Sequence, residues 1–115
     1  MTDLRKTPFT VSFVPADANP HPLDENIDVE VTFQNGKRYV ATFFTLENIR
    51  MLIQKNKRTG ECHDGLYFWA SDMIIVERLT LENVQKAVLD LLEHDEFEAA
   101  FSGPAADAPD AVSDE

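Results

Sequence analysis

The chain has 115 residues, 43% of them hydrophobic and eight of them Phe, with a formal net charge of −11. That is the size and composition of one folded domain with a modest core, and it argues against disorder for the body of the chain. No apolar run approaches the ~20 residues of a membrane span, and no apolar run of signal-peptide length precedes Pro15.

The lone cysteine, Cys62, cannot form an intramolecular disulfide and fits a reducing compartment, so a cytoplasmic location is expected. The charge is unevenly spread. Residues 1–36 hold six acids and two bases, residues 37–58 six bases and one acid, and residues 59–115 fourteen acids and two bases. Such a chain is repelled by nucleic acid and by anionic membrane, and its natural charged partner is a basic protein.

In chain order, residues 1–8 are a polar lead-in. Phe9, Val11 and Phe13 alternate with Thr10 and Ser12, which predicts a half-buried strand ended by Pro15. Pro15, Pro20 and Pro22 make residues 15–26 a loop. Ile27, Val29, Val31 and Phe33 alternate cleanly with polar residues and predict a second strand. Asn35-Gly36 predicts a hairpin into a third strand, Lys37 to Phe44.

Two hairpin registers compete. A two-residue loop pairs Phe33 with Arg38. A three-residue loop with Gly36 left-handed pairs Val31 with Tyr39, Val29 with Ala41 and Ile27 with Phe43. The second gathers more apolar surface on one face and is preferred. Bulky residues on both faces of the third strand place it centrally in the sheet.

The tetrapeptide Thr-Leu-Glu-Asn occurs twice, at Thr45–Asn48 and Thr80–Asn83. Each time Thr is a suitable N-cap and Glu favours the first helical turn. The first helix has the stripe Leu46, Ile49, Leu52, Ile53 and Asn56, apolar until its last turn, ends in Lys55, Lys57 and Arg58, and stops at Gly60. The second has Leu81, Val84, Val88, Leu91 and Leu92, and breaks near His94-Asp95, after which Phe97 and Phe101 tuck back onto the core. Between the helices, residues 66–70 and 73–78 predict two further strands joined at Ser71-Asp72. The fold class expected is therefore α+β: an antiparallel sheet of four to five strands with two helices packed on one face, in the order β-β-β-α-β-β-α. Residues 1–101 form a single domain in this reading, and residues 102–115 a disordered acidic tail.

The reactive side chains are few. Glu61, Cys62, His63 and Asp64 are dense in sequence, but adjacent residues rarely converge on one ion, and a zinc site would need His21 or His94 as well as carboxylates. The base of a thiol nucleophile normally comes from elsewhere in the fold, so Cys62 and His63 make a poor catalytic pair. No P-loop, GxGxxG, HExxH or GxSxG pattern occurs. Catalytic residues, metal ligands and cofactors are accordingly expected to be none, and the balance is against an enzyme.

The expected function is a non-catalytic protein-binding module that docks on a basic partner through Glu61, Asp64, Trp69, Asp90, Glu93, Asp95, Glu96 and Glu98. Immunity proteins for nuclease toxins, and inhibitors that mimic nucleic acid, share this profile of size, sign and missing motifs, as a physical analogy. The alternative is a small-ligand pocket lined by Tyr39, Phe43, Tyr67 and Trp69 with Cys62 and His63 at its mouth. A self-associating protein, for instance a homodimer, is the third option; it would leave an apolar sheet face uncovered.

Overall fold

The computed structural model describes residues 4–105. A 3₁₀ turn, Leu4–Lys6, leads into β1 (Phe9–Val14), β2 (Asn26–Phe33) and β3 (Arg38–Thr45). Helix α1 (Leu46–Thr59), a turn at Glu61–Gly65, β4 (Met73–Val76), α2 (Leu81–Glu93), α3 (Phe97–Ala100) and β5 (Ser102–Ala105) follow. The architecture is α+β.

Period-two alternation builds the centre of the sheet. Val29, Val31 and Phe33 of β2 and Tyr39, Ala41 and Phe43 of β3 are all buried on one face, continued by Phe13 of β1. The hairpin takes the three-residue register: Ile27 faces Phe43, Val29 faces Ala41 and Val31 faces Tyr39. Gly36 makes this possible. At φ +91° it bends back so that its N–H donates to Phe33 O at 2.8 Å while Phe33 N–H donates to Lys37 O at 2.9 Å. Arg38 falls opposite Thr32 and lies 3.6 Å from Glu30.

The buried face is closed by Val84, Val88 and Leu92 of α2 and by Phe97 and Phe101. The last two stack with centroids 4.5 Å apart, and Phe97 meets Tyr39 edge-on at 5.0 Å. Of the two helices expected on one face, α2 supplies this core; α1 contributes no side chain to it.

Three finer expectations differ. Residues 66–70 do not form a strand. β4 consequently has no hairpin partner before it and runs parallel to β3, with Phe43 beside Ile74 and Phe44 beside Ile75. A parallel neighbour needs a long crossover, and α1 with the following loop provides it. The acidic tail expected from Ser102 begins as β5, antiparallel to β3. Buried Phe101 brings the chain back to the sheet, and Gly103 lies where an added Cβ would be 2.7 Å from Arg38 O. Residues 106–115 lie outside the described residues. β3 is thus central, with β2 on one edge and its other edge shared between β4 and β5.

Candidate functional site

Two regions hold the residues singled out from sequence. The first begins where α1 ends. Gly60 stops the helix in the left-handed conformation, φ +89°, its N–H on Asn56 O at 2.8 Å. Cys62, His63 and Asp64 then continue left-handed, at φ 51°, 54° and 58°. For residues with a Cβ this costs roughly 1–2 kcal/mol each. The turn is tied at both ends. Asp64 N–H reaches Gly60 O at 3.3 Å, and Leu66 N–H reaches both Cys62 O and His63 O at 3.1 Å. Gly65 is pressed onto α1, where an added Cβ would lie 2.8 Å from Ile53 O. Glu61 accepts from the Thr59 hydroxyl at 2.8 Å and pairs with Lys55 at 3.1 Å, and these two partners hold its carboxyl below the ordinary carboxylate range.

Beyond this turn the chain carries Leu66, Tyr67, Phe68 and Trp69. Phe68 alone turns inward, edge-on to Phe44 at 5.4 Å. Leu66 is 75% exposed, Tyr67 50% and Trp69 67%. Phe68 is set apart from Tyr67 and Trp69 without a strand, because one aromatic of the three has a partner on the sheet. Cys62 is half-buried and His63 exposed. The four aromatics of the expected ligand pocket are not brought together: Tyr39 and Phe43 sit in the core at 2% and 0% exposure, whereas Tyr67 and Trp69 face solvent. An open hollow of about 330 Å³ lies elsewhere, at the ends of β1 and β2, lined by Pro8, Phe9, Thr10, Thr32, Phe33 and Gln34.

The second region is the end of α2. Asp90, Glu93, His94, Asp95, Glu96 and Glu98 are all exposed. Several are engaged within the chain. Asp95 lies 3.9 Å from Arg5, and Glu98 accepts from the Tyr39 hydroxyl at 3.2 Å. His94 Nδ1 is 2.9 Å from Asp90 O and 3.5 Å from the Asp90 carboxylate. The hydrogen bond to that carbonyl, then the charges of Asp90, Glu93 and Glu96, raise the His94 pKa above its ordinary value. Potential ligand atoms of Asp90, Glu93 and His94 come within 4.8 Å of one another on the open surface. His21, the other histidine considered as a ligand, uses Nδ1 to accept from Leu23 N–H at 3.0 Å and Asp24 N–H at 3.2 Å.

Sequence reasoning missed Leu66 and Ile75. Ile75 is 46% exposed, although three consecutive apolar residues, Ile74-Ile75-Val76, are the pattern of a strand covered on both faces. The core takes Ile74 and Val76, and the opposite face, with Phe44, keeps Ile75. No helix among the described residues is long and apolar enough to cross a membrane. Neither a family model, nor a curated protein, nor a solved structure matches this chain.

Proposed function

We propose that the chain is a non-catalytic binding module for a basic protein partner, acting in the cytoplasm. The observation that carries this is the exposed run Leu66, Tyr67, Trp69 on the loop between α1 and β4. Large aromatics that find no place in the core are what interface hot spots are made of. Along the chain the run is flanked mainly by acids: Glu61, which pairs with Lys55, and Asp64 precede it, Asp72 and Glu77 follow it, and residues 59–115 hold fourteen acids against two bases. An apolar centre with a negative surround fits a partner surface that is apolar at its middle and cationic at its rim. The cluster Asp90–Glu98 adds to the long-range attraction.

The test is capture from native cell extract by the immobilised chain at low and high salt, beside Trp69→Ala and Tyr67→Ala. One basic protein should be retained at low salt, released at high salt, and lost with either substitution. Retention that survives both substitutions, or empty beads at low salt, would sink the proposal.

A further inference from the structure

We propose that the outer edge of β4 receives an extended basic segment of the partner as an added β-strand. This rests on the binding-module reading above and names the form the partner takes at the same site. Among the described residues β4 pairs only with β3. Thr42 N–H donates to Asp72 O at 2.9 Å, which points the Asp72 carbonyl at β3. Main-chain groups alternate sides along a strand, so Ile74 and Val76 also face β3, while the N–H and C=O groups of Met73 and Ile75 face outward. Edge strands are normally guarded by lysine, proline or a bulge. Met73–Val76 carries none of these and is short.

The side chains beside that edge suit a strand ligand. Ile75, 46% exposed, shares a face with Phe44, which Phe68 covers. Trp69 and Tyr67 stand just before the strand in the chain, both exposed. A strand added here gains main-chain hydrogen bonds for affinity and the Ile75 side for specificity. Asp72 and Glu77 bracket the edge, with Arg78 one residue beyond. Pairing two such edges would join two chains of net charge −11 and bring both acidic brackets together. The occupant is therefore not a second copy. It is a segment with an apolar stretch of about four residues, to match β4, and Lys or Arg on either side.

The chain's single Trp makes this measurable. Trp69 fluorescence is titrated with a capped peptide of four valines flanked by two lysines at each end, with the same peptide N-methylated at all four valines, and with its glutamate-flanked counterpart. Ile75→Pro and Ile75→Ala are compared, each checked for a wild-type unfolding transition. Proline at 75 removes an outward N–H and no bond to β3. Saturable binding is expected for the lysine peptide alone. Ile75→Pro should weaken it about fivefold more than Ile75→Ala does, the factor one net hydrogen bond is worth.

Equal binding of the methylated peptide would overturn strand addition and leave the basic-partner reading standing. Equal binding of the glutamate peptide would overturn both. No titration up to about millimolar peptide, or a dimer of the chain alone in sedimentation, would overturn the strand proposal alone.

Discussion

The two Thr-Leu-Glu-Asn segments begin identically and end in different surroundings. Thr45 and Thr80 are both extended, and their hydroxyls accept from Asn48 N–H at 3.2 Å and Asn83 N–H at 3.1 Å. From there α2 buries Val84, Val88 and Leu92, while α1 buries only Asn56. Four residues of capping chemistry thus decide where a helix starts and have no say in where it packs. The stripe that follows decides that. In α1 it runs out after Ile53 into Lys55, Asn56, Lys57 and Arg58, and the helix serves as the crossover that sets β4 parallel to β3.

The difference can be broken first through the stripes. Leu92→Ala should cost ~2–5 kcal/mol, as a large-to-small change in a closed core. Met51→Ala on the open side of α1 should stay within ~0.5 kcal/mol. Urea unfolding midpoints measure both; comparable losses would mean that α1 is as deeply packed as α2. The caps come next. Thr45→Ala and Thr80→Ala should each cost ~0.5–2 kcal/mol. Thr45 should be the larger loss, because its hydroxyl also accepts from Glu25 N–H at 3.3 Å and the residue is buried.

The smallest effect lies at the helix ends. Lys57 and Arg58 close α1 with permanent positive charge, whereas α2 has no basic residue in its last turn and only His94 beyond it. His94 has its pKa raised in the folded chain. Its contribution to stability is therefore fully present below its unfolded pKa, about 6.5, and is lost as pH rises through the raised folded value. His94→Gln should be less stable than the parent in acid and indistinguishable from it in alkali. A stability gap that does not change with pH would remove the charge from the explanation.

The same contrast marks what was legible in the sequence. Features fixed by neighbours were readable: the Gly36 bulge that sets the hairpin register, both caps and the stop at Gly60. The return of Phe97 and Phe101 was readable too, because two rings after a helix break have only the core to go to. Features fixed by distant partners were not. Residues 66–70 have the composition of a strand, but Phe68 is held by Phe44, and no strand among the described residues pairs the rest. Ser102–Ala105 has the composition of a tail, and it becomes a strand because Phe101 anchors it beside Arg38 and Val40. At the candidate site the acids and aromatics were identifiable from sequence. That Ile75 is exposed while Tyr39 and Phe43 are not depends on which face each strand gives to α2.

The shared edge of β3 also has a consequence for the order of assembly. β1, β2 and β3 join through two antiparallel connections and can pair as soon as residue 45 has been made. The other edge of β3 waits for residues 73–76 and then for 102–105, closures of long sequence separation that come late and slowly. Until Phe97 arrives, Phe33 and Tyr39 lack the ring that covers them. A growing chain therefore adds residues 46–97 with a finished hairpin and an unfinished core, the interval in which a holding chaperone has most to bind.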